Sequence, residues 1–141
     1  MLKITRLADY SILILCCFDK DGGKKISAPK LASLTGLRLP TVNKILSKLV
    51  KGKILTTTRG SRGGYMTTKS FEDIPINDII EVLEGPVAIT NCISKQEKEC
   101  NLIDICVTKK AWGLVNSAIV KTLQDIKIRD INSADNFLKL Q

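Results

Sequence analysis

Residues 39–52, LPTVNKILSKLVKG, constrain the fold more than any other stretch of the chain. Val42, Ile45, Leu46 and Leu49 recur at i, i+3, i+4 and i+7, the period that aligns apolar side chains along one face of an α-helix. That face is core. Pro40 suits the first helical turn, where its missing N–H leaves no bond unmade. The other side carries Thr41, Asn43, Lys44, Ser47, Lys48 and Lys51, hydrogen-bonding and cationic groups suited to base edges and phosphates in a major groove.

The neighbouring segments give this helix its setting. Ser27 is a cap, Pro29 lies in a first turn, Leu31 and Leu34 supply an apolar face, and Gly36 ends a short helix. Two short helices joined near a glycine make a helix-turn-helix, with Arg38 and Pro40 at the entrance of the second. Downstream, KILTTT and GGYMTT are β-prone runs around RGSRGG, a hairpin whose glycine-rich tip bears Arg59 and Arg62. Such a wing places arginine at a narrow minor groove, where negative potential is concentrated. A surface turn with incidental arginines is the plainer reading of the same six residues.

Ahead of this unit, residues 2–18 are apolar almost all round, which predicts a helix buried on most sides, with Cys16 and Cys17 as small core hydrophobes and DKDGGKK at 19–25 as its loop. Lys3 and Arg6 before ILILCCF imitate a signal peptide, but Asp9 interrupts the run and no small-residue cleavage site follows. No apolar run approaches the roughly 20 residues that span a bilayer. Five cysteines without a secretion signal point to a reducing compartment, so we expect a cytoplasmic protein.

Charge divides the 141 residues into unlike halves. Residues 1–70 hold 14 Lys and Arg against 3 acids, a net +11, whereas residues 71–141 hold 8 against 11, a net −3. A basic half fits polyanion binding through counterion release, here to a double-stranded DNA operator; a solvated lysine surface is the alternative. Catalysis is not expected. The chain has no histidine for acid–base work, no phosphate-binding glycine loop before a suitable helix, and no pair of carboxylates that spacing singles out.

The acidic half opens with IPINDIIEVLEGP, a helix with Ile76, Ile79, Ile80 and Leu83 on one side and Gly85–Pro86 as its stop. Cys92, Cys100 and Cys106 follow with spacing C-x7-C-x5-C, which lacks the C-x-x-C knuckles of a compact zinc site. Trp112, Val115, Ile119, Thr122 and Ile126 then recur every three or four residues as one apolar stripe. A stripe of that kind needs a partner: it can pack back on its own domain, but the first four elements can already form a core. We therefore expect the helix to pair with its copy in a homodimer, the symmetry that palindromic half-sites require. Residues 129–141 carry little signal.

Taken together, the fold class is mainly α with a small β-hairpin: a winged helix-turn-helix plus a C-terminal dimerisation helix. The expected division is a DNA-binding domain over 1–85, a cysteine loop over 86–106, and a dimerisation helix with tail over 107–141.

The stretch LPTVNKILSKLVKGKILTTTRGSRGGYMTTKSFEDIPINDIIEVLEGPVAITNC resembles the winged-helix repressors that sense iron–sulfur clusters or nitric oxide, the IscR and NsrR group, and is most similar to SUF-system assembly regulators. The likeness runs from Leu2 to Ile131, and PTVNKIL, RGSRGGY, VLEGP and the three cysteines before a tryptophan-bearing helix carry it in that order. It implies a dimeric transcription regulator in which Cys92, Cys100 and Cys106 bind an iron–sulfur cluster, of two-iron or four-iron type. Thiolates are the usual ligands of such clusters. A zinc site, a redox disulfide with one thiol spare, or an inert loop remain open on the residues alone. One position departs from the group. IscR-like members have a histidine three residues after the last cysteine, where this chain has Lys109. NsrR-like members use a first-helix aspartate of the other subunit, and Asp9 stands at the matching place.

Overall fold

The computed structural model describes residues 3–20, 24–60, 63–94 and 105–138. Helix α1, Arg6–Lys20, begins later than the apolar run alone suggests. Thr5 sets its start: the Oγ1 accepts from the Ala8 N–H at 3.3 Å, and the Thr5 hydroxyl and N–H both donate to the Glu84 carboxylate. Ala8, Ser11, Ile14, Leu15 and Phe18 form its buried side, while Leu13 remains exposed, so the helix is covered on one face rather than on most. Cys16 and Cys17 are half-buried at the edge of the core, not inside it. The helix also reaches into the expected 19–25 loop, whose residues 21–23 lie outside the described residues.

Helix α2, Ala28–Thr35, has the expected terminators: Ser27 Oγ accepts from the Lys30 N–H at 3.4 Å, and Gly36 closes the helix in the left-handed region at φ 71°. Leu31 is fully buried, but Leu34 is 52% exposed and does not share its face. Two apolar residues at i and i+3 are too few to define the side of a two-turn helix. Helix α3, Leu39–Lys51, follows after a three-residue turn and packs on α1, α2 and α4. Its Val42, Ile45, Leu46 and Leu49 are all fully buried. At about 1.5–3 kcal/mol per buried side chain, this face outweighs any propensity term in fixing the helix.

Strands β1, Leu55–Thr58, and β2, Gly64–Thr67, pair antiparallel with Leu55 opposite Thr67 and Thr58 opposite Gly64. Ile26 adds a reciprocal pair of 2.9 Å hydrogen bonds to Tyr65, tying the approach to α2 to the outer side of the hairpin. Helix α4, Ile76–Glu84, buries Ile76, Ile79, Ile80 and Leu83 and stops at Gly85. Gly52 lets the end of α3 lie directly on α4, since a Cβ there would fall 2.4 Å from Val82 Cγ2.

Helix α5 spans Lys109–Asp125, and a sixth helix, α6, spans Ile128–Leu138 in the region that carried little sequence signal. Ile126 is therefore not on the α5 stripe: it is extended, beyond the helix end. The reason is long-range pairing. The Ile76 N–H donates to Ile126 O at 3.0 Å and the Ile128 N–H to Ile74 O at 3.1 Å, which draws the chain out of the helix and buries Ile128 in the common core.

Candidate nucleic-acid interface and cysteine segment

The buried stripe of α3 fixes which of its residues face outward. Arg38, Pro40, Asn43, Lys44, Ser47 and Lys51 are exposed and Thr41 is half-buried beside them. Arg38 occupies the N-cap position, where its donor-only guanidinium cannot cap the helix N–H groups, and the residue is exposed. Lys48 behaves differently from its sequence neighbours. Its Nζ donates to Leu83 O at 2.7 Å, occupying a C-terminal carbonyl of α4 instead of projecting with Lys44 and Lys51.

At the hairpin, Arg59 is exposed immediately after β1. The loop is closed by the Gly63 N–H on Gly60 O at 2.9 Å, and a Cβ on Gly63 would collide with Thr58 O at 2.3 Å. The turn thus demands glycine and leaves arginine as the tip's long side chain. Arg62 lies outside the described residues.

Past α4 the chain returns along α5. Asn116, 8% exposed, holds it there: Oδ1 accepts from the Ile89 N–H at 3.0 Å and Nδ2 donates to Val87 O at 3.1 Å. A turn follows in which the Ile93 N–H donates to Thr90 O at 3.1 Å, and Cys92 Sγ lies 3.3 Å from Thr90 Oγ1. Cys106 sits just before α5 with Sγ 3.4 Å from Thr108 Oγ1. The hydroxyl of Thr108 and then its amide hold the Cys106 thiol pKa below its ordinary value against an opposing desolvation, with lesser help from the Lys109 amide and charge. Cys92 and Cys106 are both half-buried, and Cys100 lies outside the described residues.

Asp9 is exposed in the first turn of α1, a favourable place for an anion against the helix dipole. Among the described residues it forms no ion pair with Arg6. Nor do three or more Cys, Asp or Glu side chains among the described residues gather into a metal site, so Asp9, Cys92 and Cys106 of one chain do not meet.

On α5, Trp112 is 45% and Val115 44% exposed, Thr122 is exposed, and Ile119 is half-buried. Ile119 and Leu123 wall a groove of about 320 Å³ with Ile4, Ile80 and Val87. No described helix is long and apolar enough to cross a membrane.

Sequence reasoning missed three contacts: Thr5 with Glu84, Lys48 with Leu83, and Asn116 with residues 87–89. Thr5, three residues before Ala8 at the head of an apolar run, offered a capping signal. The others join residues too far apart in the chain for any local pattern to show.

A recognition helix with a fully buried inner face, an arginine-tipped hairpin beside it and a following long helix define a winged-helix DNA-binding transcription regulator. The family model Rrf2, described as an iron-dependent transcriptional regulator, matches residues 4–134, and the chain belongs to that family. Its members regulate transcription by binding DNA and are not enzymes. Protein rrf2 of Nitratidesulfovibrio vulgaris is 26% identical over 131 residues, 92% of this chain and 87% of its own length. Relatives named NsrR and IscR match as well. Among solved structures, CymR of B. subtilis, titled a global cysteine regulator, superposes with TM-score 0.73 at 24% identity, covering 95% of this chain and 98% of its own. IscR of T. potens gives TM-score 0.70 at 24% identity, covering 95% and 88%.

Proposed function

We propose that the chain is a homodimeric, cytoplasmic transcription regulator of the repressor kind whose cysteine segment reports iron–sulfur status to an operator-binding surface, and that iron–sulfur assembly genes are its targets. Lys44 and Lys51 contact phosphates, Thr41 and Asn43 face bases, Ser47, Arg38 and the Pro40 turn border them, and Arg59 and Arg62 enter the minor groove. Two copies pair through Trp112, Val115, Ile119 and Thr122.

One observation carries the sensing half of this reading. Cys106 is a half-buried thiol at the foot of α5, the helix whose Trp112 and Val115 stay exposed, and the Thr108 hydroxyl 3.4 Å away holds its pKa down. Thiolate is the form that ligates iron, and Thr90 and Thr108 place hydroxyls beside the two described sulfurs, so the chemistry of these two donors suits a cluster. Cys92, Cys100 and Cys106 of one subunit would hold it, with the Asp9 side chain of the other as the fourth ligand. When bound, such a group supplies sensitivity to iron supply, oxidants and nitric oxide. The chain's own part is to present three thiolates next to the dimer helix, with a carboxylate on α1 of the DNA-binding half.

A cofactor-free thiol switch is the second reading, favoured by the same thiol. A lowered pKa also makes a sulfur nucleophilic, and the chain shares its fold with a global cysteine regulator. Anaerobic purification separates the two. Visible absorbance with stoichiometric iron and sulfide, and operator affinity that differs between holo and apo forms, are expected for the cluster; a colourless protein whose DNA binding follows thiol oxidation supports the switch. Asp9→Ala should leave a folded dimer with altered cluster absorption and faster loss in air, and an unchanged spectrum and lifetime exclude Asp9 as ligand.

A further inference from the structure

Helix α5 is 17 residues long, and its one buried residue is an asparagine. A core position on an amphipathic helix ordinarily takes an apolar side chain, because burying an unmatched amide is costly. Asn116 is matched on both edges, and both partners are backbone groups of the same short segment, Val87 O and Ile89 N–H. An acceptor and a donor offered to alternate residues in this way are what a neighbouring parallel strand would provide. Asn116 stands in for a strand that residues 87–89 lack.

We propose that Asn116 is the positioning residue of the cysteine segment. The segment has two roots. One is covalent, since Cys106 lies three residues before Lys109, the first residue of α5. The other is Ile89, three residues before Cys92, and Asn116 fastens it to that same helix. Both described sulfurs are thereby referred to a single rigid element. A leucine at 116 would fill the space equally well, but it would let residues 87–89 slide along α5; two directional bonds permit one register. Asn116 also lies between Val115 and Ile119 of the exposed stripe, so the element that fixes the thiols is the one offered to the second copy.

This inference deepens the sensing role proposed above and rests on it, and the test keeps the two apart. Asn116→Ala and Asn116→Leu are made in the full chain; the second keeps the volume and loses both bonds. In the metal-free protein, amide exchange over residues 86–94 and alkylation of Cys92 by iodoacetamide at fixed pH should each rise about tenfold in both variants. Exchange over 42–49 and operator affinity should stay within about twofold of wild type, the scatter of uncoupled sites. In protein holding the cluster, its absorption bands should shift and its lifetime in air shorten in both variants. Unchanged segment exchange and alkylation overturn the proposal, as does loss of protection spread equally over 42–49, which marks a merely structural residue. Should the alanine variant fail to fold, the leucine variant, which leaves no cavity, is judged by the same criteria. A wild-type protein that is colourless after anaerobic purification refutes the cluster reading alone, because the metal-free measurements still decide Asn116.

Discussion

Helices α3 and α5 both bear apolar residues at intervals of three and four, yet the fold completes one and leaves the other open. Every residue of the α3 stripe is fully buried, covered by α1, α2 and α4. Trp112 and Val115 of α5 keep nearly half their surface, and the helix buries an amide instead. Identical periodicity thus says that a face must be covered but not by what. For α3 the cover lies within the chain. For α5 the covering surface proposed above is a second copy, and this difference separates stability from assembly.

The comparison is easiest to break with charge. Leu46→Asp should abolish folding, since an unpaired carboxylate in a dry core costs several kcal/mol, as judged by far-UV circular dichroism. Ile119→Asp should keep the helical signal and lose self-association in sedimentation. A folded Leu46→Asp, or a dimeric Ile119→Asp, ends the distinction. Within the α3 region, Asn43→Ala should cost roughly 1–3 kcal/mol on the specific operator and little on random DNA. Lys44→Ala and Arg59→Ala should make the salt dependence of binding shallower by about one unit each.

Lys48→Met sharpens the contrast inside that helix. Because Nζ is engaged by Leu83 O, the variant should lose about 0.5–1.5 kcal/mol of unfolding free energy in urea while its salt slope matches wild type. The smallest effect belongs to Thr108→Val. Removing the principal cause of the lowered Cys106 pKa should raise it and slow alkylation near neutral pH. The sign for stability is that of a depressed pKa: the folded state gains where the thiolate forms, and the gain disappears as pH falls through the folded-state value.

Much of this was legible beforehand because it is local. The α3 face, the Ser27 cap, the Gly36 stop, the hairpin and the α4 face all repeat within one or two turns of chain, where period and capping chemistry are decisive. Leu34 misled, since two residues do not fix a face. Ile126 misled for a different reason: its pairing partners, residues 74–76, are fifty positions away, and no periodic pattern announces them. Lys48 carries the same charge as Lys44 and Lys51, so only the nearby end of α4 distinguishes it. Asn116 gave no local signal, because its two backbone partners lie 27 and 29 positions away.

The end of α4 has a mechanical meaning. Within four consecutive residues, Val82 abuts Gly52, Leu83 O holds Lys48, Glu84 holds Thr5, and Gly85 begins the return toward Asn116. Turning α4 by a single residue would swing these groups through about 100° and slide them about 1.5 Å, beyond the tolerance of a hydrogen bond. A displacement at the start of α1 that keeps the Thr5–Glu84 bond carries α4 with it, and α4 carries the last turn of α3 through Lys48.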